Sequence, residues 1–554
     1  MTNNRHKGWN RRMALVGGGA AAAGVAYLAL KPGSKAPRHV VLEPNTFYRG
    51  NGAEPMTLDP SLADATWEDS IIGDLMVGLT TEDQNARPIP GIAESWTTSP
   101  DGLTWTFKLK DTMWSDGVPL TADDFIFSWT RVLDPKLAAS YAYFPYVIKN
   151  AEPINTGKMP PSALGAKALD AHTLEIHLEH PVPYLPEMLM HTSMYPEPRH
   201  VVEKKGRDWP RPGNYVCNGA FMLTEWVPNG HVTVVKNPRF YDAANVALEK
   251  VIYYPTDDYS AAMRRVQAGE LDAQDKLPGA EIDYIKAHMP DMIDPVPQMI
   301  VDLVSINLGR KPFDDIRVRE AMNLALNREA ITQKITHVGY LPAYNLVPPN
   351  TANFPGGNAL SFKDMPPADR LERARALMRE AGYGTNNRLA TNYMIRSTAA
   401  GSGRAVAAAI QQMLSLIYVN MTIEPNDAAI FYKRLQVHDF DIGQPGWSGD
   451  FNDASNFLDL FKTGNPNNWG QHSDPAFDAA LAEAQNEVDV ESRGRKLAEA
   501  ESLLLKNQVF MPLFFWVNGN LVRPYVKGWV GNSLDKHRSR WMSFDQKARS
   551  ALFV

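Results

Sequence analysis

One cysteine, Cys217, stands in a chain of 554 residues. No disulfide framework can hold such a fold, so its stability has to come from core burial. A chain of this length buries apolar surface generously and has room for two or three domains. Hydrophobic residues make up 44%, charged residues 21%, and the net charge is −6. That is the balance of an ordinary globule, with none of the basic, aromatic-interleaved stripes that a nucleic-acid partner requires.

Periodicity separates strands from helices and points to a mixed α/β body. After the turn at Pro100-Asp101-Gly102, Leu103, Trp105, Phe107 and Leu109 alternate with Thr104, Thr106, Lys108 and Lys110, as in a half-buried strand. Thr121 and Asp124 have the spacing of a capping box ahead of Phe125, Phe127 and Trp129. Thr173 to Glu179 alternates equally well. In the second half, Ala368 to Ala381 sets Leu371, Ala374, Leu377 and Met378 on one helical face, with Gly382 as its stop. Asp474-Pro475 and Asp489 open two more helices. Val509 to Val517 is an unbroken apolar run, which predicts a buried strand.

The N-terminus is written for export. Arg11 and Arg12 precede an uncharged, Ala- and Gly-rich run from Met13 to Leu30, closed by Lys31-Pro32-Gly33. Paired arginines before a mildly apolar run suit a twin-arginine signal, with an ordinary Sec signal or an uncleaved anchor as alternatives. No clean small-x-small cleavage site precedes Lys31, and Cys217 is too far downstream to carry a lipid. Periplasmic residence is the expectation, with cleavage and attachment open.

The sequence Gly446-Trp-Ser-Gly-Asp450-Phe-Asn-Asp-Ala-Ser-Asn-Phe457 places one acidic side chain between two aromatics, in a loop of small residues. Trp447 and Phe451 can wall a pocket, and Gly446 and Gly449 let backbone approach its contents. Asp450 then calls for a cationic guest such as an amino terminus. Taken alone, an Asp in such a loop is most often a turn former, and the surrounding pattern has to decide. Motifs for chemistry are absent: no phosphate-cradling loop, no His-Glu-x-x-His and no Gly-x-Ser-x-Gly elbow. His177 and His180, the closest metal-like pair, point to opposite faces of a strand. No catalytic residue, metal or cofactor is expected.

Three longer runs carry a family resemblance. The first is Asp101 to Leu109, followed by Trp114-Ser-Asp-Gly-Val-Pro-Leu-Thr-Ala-Asp-Asp-Phe125 and Ser128-Trp129. The second is Asn218-Gly-Ala-Phe221 with Trp226 and Lys236-Asn-Pro-Arg-Phe-Tyr241. The third is Phe313-Asp-Asp-Ile-Arg-Val-Arg-Glu-Ala321. With the Gly446 run, they resemble the extracytoplasmic oligopeptide-binding proteins of ABC importers, solute-binding family 5.

The resemblance implies a periplasmic-binding-protein-like two-lobed clamp (type II, cluster C) with an additional small α/β domain. Residues 1–38 would be the signal or anchor. Segments 39–66, 195–298 and 517–548 would form lobe I, 67–194 the small domain and 299–516 lobe II. It implies an oligopeptide held in extended form between the lobes, pairing with Ala53-Glu54-Pro55-Met56 and with Gly446-Trp447-Ser448. Asp450 would hold its amino terminus. Tyr141 or Tyr143, Trp447, and Phe515 or Trp516 would help wall the side-chain pockets. A monomer serving ABC permease transmembrane subunits and their cytoplasmic ATPase subunits is implied. The groups that meet a ligand carboxylate depart from the family pattern. Gln444 stands where Arg is expected, a second cation aligns with Arg310 or Lys311, and a third falls near Ser402 or Arg404. An aromatic expected near Ala428 is missing. That leaves a modified peptide, or a nickel chelate, haem, opine or sugar-containing solute, as the alternative guest, and a chaperone-like peptide binder as another reading.

Overall fold

Alternation along Thr104–Leu109 becomes a strand whose Trp105, Phe107 and Leu109 are buried while Lys108 faces solvent. The computed structural model describes residues 43–397, 403–517 and 519–551. The export segment, residues 39–42 of the expected lobe I, and Ser402 lie outside the described residues. The Trp114-Ser-Asp-Gly turn closes through Gly117, whose φ of 93° is the left-handed conformation glycine adopts without strain. Thr121 and Asp124 cap the helix Ala122–Val132, the Asp124 carboxylate accepting the Thr121 N–H at 2.8 Å. That helix buries Phe125 and Trp129 completely, and the Trp129 indole donates to the Met194 carbonyl at 3.0 Å.

Strand Thr104–Leu109 lies in an antiparallel four-stranded sheet between Ala93–Thr98 and Thr173–His177, with Ala166–Asp170 at the far edge. A six-stranded sheet runs Leu521–Val522, Ala273–Gln274, Thr46–Gly50, Lys250–Tyr254, His231–Lys236, Phe221–Val227. One continuous core joins these two sheets, with Phe47 and Val251 on one side and Trp105, Phe107 and Ile176 on the other. The four-stranded unit is therefore fused to its neighbour through shared packing.

The third sheet has seven strands. Its path is Leu341–Pro342, Phe510–Val517, Pro297–Ile306, Ile442–Gly443, Leu389–Arg396, Val419–Asn426, with Gly446–Ser448 paired beside Pro297–Ile306. It has its own core, including Val301, Phe313, Phe457 and Phe515. Helices Pro367–Glu380, Pro475–Gln485 and Val490–Lys506 form as their caps predict, with Asp474 accepting from Ala476 N at 2.9 Å and Asp489 from Ser492 N at 2.7 Å. The chain passes between the six- and seven-stranded sheets twice, from Gln274 to Pro297 and from Val517 to Leu521. Two crossings between sheets are the connectivity that a hinge between lobes uses.

Candidate functional site

Gly446–Ser448 lies antiparallel to Pro297–Ile306, with Ser448 opposite Ile300, Trp447 opposite Val301 and Gly446 opposite Asp302. No other strand among the described residues pairs with it. Its outer edge is thus open to an extended guest, which can add as a further strand. A Cβ at Gly446 would meet nothing closer than 3.6 Å. At Gly449 it would lie 3.2 Å from Phe457 and 3.4 Å from Met299. Gly449 is therefore small to suit its own lobe, where its N–H also bonds the Met299 carbonyl at 2.7 Å; the expected approach of a guest is confined to Gly446.

Asp450 follows this strand and meets the four-stranded unit. The Tyr143 hydroxyl donates to its Oδ2 at 3.2 Å, and the Tyr141 hydroxyl bonds the same carboxylate. Burial raises the Asp450 pKa to about 6, against the pull of the Tyr143 bond, the Lys536 charge and the Tyr141 bond. The group is mostly ionised at neutral pH, yet its bonded partners are neutral phenols. Lys536 is itself drawn to Asp69, 3.6 Å away. Both phenols are held protonated, first by burial and then by the Asp450 charge. Tyr141 rests on the His191 ring at 4.4 Å, and burial keeps that imidazole neutral with a pKa of about 3.

This ionisation sets a pH dependence. For a cationic guest on this carboxylate, affinity should hold above pH 6 and fall about tenfold by pH 5, as Asp450 takes up a proton. Titration calorimetry of one free-amine peptide at pH 7 and pH 5 checks this, and Asp450→Asn should flatten the profile.

Trp447 and Phe451 do not face one pocket. Phe451 stacks on Tyr184 at 5.1 Å and sets its edge on Phe144 at 6.0 Å. There it lines a cavity of 190 Å³ with Tyr143, Lys462 and Arg493. Trp447 turns the other way, its indole donating to Asn456 Oδ1 at 2.8 Å and its ring packing on Trp469 at 6.3 Å. The chain leaves the extended conformation between them, which rotates the two side chains apart.

The other expected site residues fall as follows. The Glu54 carboxylate is spent within its own lobe, accepting from Trp226 Nε1 at 2.8 Å and Asn229 N at 3.0 Å. Pro55 has no N–H, and the Met56 N–H is bonded to Glu68 at 2.7 Å. Any pairing on this side is therefore left to the backbone of Ala53 and Glu54. Phe515 is 4% exposed and packs into the core. Trp516, one residue on, is half-buried and stacks on Tyr340 at 5.2 Å. Arg310 sits past the end of its strand, bonded to Asp441 and Asp439 at 3.0 Å each, so its charge is answered by protein carboxylates. Arg404 is exposed on the helix Gly403–Ser415. Gln444 receives the Tyr393 hydroxyl at 2.7 Å and donates to Asp302 Oδ1 at 2.9 Å. His177 bonds Glu175 and Thr104, and His180 the Pro181 carbonyl. No cluster of three metal-binding side chains occurs among the described residues.

Sequence reasoning passed over Asp302, Arg396, Tyr340 and Lys536. Asp302 carried a signal, being the one charged residue in the apolar strand Pro297–Ile306, where a charge needs a reason.

Two sheet-built lobes, two crossings and an open strand edge ending in a half-buried carboxylate define a solute-binding clamp. The chain belongs to the bacterial extracellular solute-binding proteins, family 5, whose "Middle" description matches residues 87–469. It is 35% identical to the periplasmic oligopeptide-binding protein OppA of Salmonella typhimurium over 490 residues, 88% of this chain and 90% of that one. Among solved structures, the Escherichia coli murein tripeptide binding protein MppA superposes with a TM-score of 0.78 at 32% identity, covering 91% of this chain and 99% of that one. Haemophilus influenzae OppA in complex with RPPGFSPFR gives a TM-score of 0.76 at 31% identity, over 91% and 100%.

Proposed function

We propose that this protein is the periplasmic substrate-binding subunit of an ABC importer, capturing short peptides in extended form and delivering them to a membrane permease. The observation that carries the reading is the open edge of Gly446–Ser448 leading into Asp450, whose bonded side-chain partners among the described residues are the phenols of Tyr143 and Tyr141. Peptide backbone pairs with that edge without regard to side chains, and Asp450 takes the ammonium. Trp447, Ser448, Tyr141, Tyr143, Phe451 and Trp516 border the path. The lobes are 39–66 with 195–298 and 517–548, and 299–516; the small domain is 67–194. The protein works as a monomer and performs no chemistry on its ligand; transmembrane subunits and cytoplasmic ATPase subunits complete the importer.

A ligand that prefers the closed clamp shifts the population toward it and stabilises the fold. Small-angle scattering should show a smaller radius of gyration with saturating peptide, and the melting temperature should rise. Confirmed binding with neither change contradicts the hinge. Export follows the twin-arginine route in this reading, so replacing Arg11 and Arg12 by Lys should sharply reduce periplasmic yield. Unchanged yield removes that route and leaves periplasmic residence standing.

A further inference from the structure

Behind the open strand edge lies a corner where polar groups converge without completing one another. Asp302, 6% exposed, stands opposite Gly446, and Gln444 bonds only its Oδ1. The buried Trp516 indole N–H has no hydrogen-bond partner; it lies near enough to favour the Asp302 charge but out of bonding geometry. Arg396 ends the strand Leu389–Arg396, two residues past Met394, whose carbonyl receives the Gln444 N–H at 3.0 Å. It is half-buried and acts on Asp302 through its charge, and its side chain forms no hydrogen bond or ion pair with any described residue. Tyr340 closes the corner against Trp516.

Neither the Asp302 carboxylate nor the Arg396 guanidinium is sealed from solvent, and the two charges influence but do not bond each other. Water meets both in the open cleft, and a guest that displaces this water has to answer both charges. A guest bearing one positive and one negative group on the same residue completes both. We propose that this corner receives the last residue of a short peptide ending in a basic amino acid, its carboxylate on Arg396 and its side-chain ammonium on Asp302. The proposal rests on the peptide reading above and deepens it. It accounts for Gln444, since an arginine there would neutralise Asp302 and remove the site for the ammonium. It also sets a length. Paired register runs from Gly446, opposite Asp302, to Ser448, two residues short of Asp450, so a guest reaching both ends is at least a tripeptide in extended form.

The test uses calorimetry with three ligands: alanyl-alanyl-lysine, its norleucine analogue lacking the side-chain amine, and its C-terminal amide. The parent protein should prefer the lysine peptide to each of the others by roughly 10- to 100-fold. Asp302→Asn should erase the preference over norleucine and keep the preference over the amide. Arg396→Gln should do the reverse. Asp302→Asn removes a charge whose burial already disfavours it, so folding is not at risk, and the melting temperature of each variant verifies this. Preferences that survive in both variants, or that the parent lacks while Asp450 still governs binding, overturn the proposal alone. Failure of all three ligands to bind overturns the peptide reading with it.

Discussion

Asp450→Asn should weaken free-amine peptides by about 2–5 kcal/mol, on the order of thirty- to several-thousand-fold. In the proposed reading the closed cleft excludes water, so the substitution would leave the ligand ammonium buried with no counter-charge. N-acetylated peptides have no ammonium, so they should bind the parent poorly and lose little more in the variant. The same substitution should keep or raise the melting temperature of the free protein at pH 7. Burial lifts the Asp450 pKa to about 6, so the folded state holds its proton better than the unfolded chain does. The sign follows: this group's stability contribution is greatest below the ordinary carboxylate pKa and is lost as pH rises toward 6. If free and acetylated peptides lose affinity equally, Asp450 shapes its loop and anchors nothing.

Arg493→Met should destabilise the protein by about 3–5 kcal/mol. Arg493 and Asp453 are 4% and 1% exposed and share two bonds, of 2.6 and 2.9 Å. The guanidinium also lies over the Tyr184 ring at 4.5 Å. Removing it strands the Asp453 charge, which Ser455 alone then meets through its N–H and hydroxyl. Adding Asp453→Asn should recover part of the loss, because the orphaned charge goes with it. Denaturant titration of the two variants measures both steps, and a loss under about 1 kcal/mol for Arg493→Met contradicts this account of the loop's anchorage. The consequence reaches the site, since Asp453 lies three residues from Asp450 and holds the turn that aims it.

Local pattern made the elements legible. The alternation at Trp105, Phe107 and Leu109, the Thr121–Asp124 cap and the Asp474 and Asp489 helix starts all reappear with the expected burial or bonds. Pairing and side-chain direction were not legible, because they are set by partners far away in the chain. Nothing near Phe451 announces that it will stack on Tyr184 of another unit. Nothing near Glu54 announces Trp226 as its partner. Arg310 looked like an anion holder only while Asp439 and Asp441 were absent from view. Charge inside an apolar strand was the one readable clue to the far end of the cleft, at Asp302, and its meaning depended on Gln444 and Arg396 arriving from two other strands.

Native mass spectrometry of the protein purified from the periplasm, with whatever ligand it retains, tests the central claim most directly. The account predicts a ladder of masses matching short peptides, released intact on denaturation and sequenced with free amino termini. A single defined molecule without peptide bonds, retained at full occupancy, contradicts it.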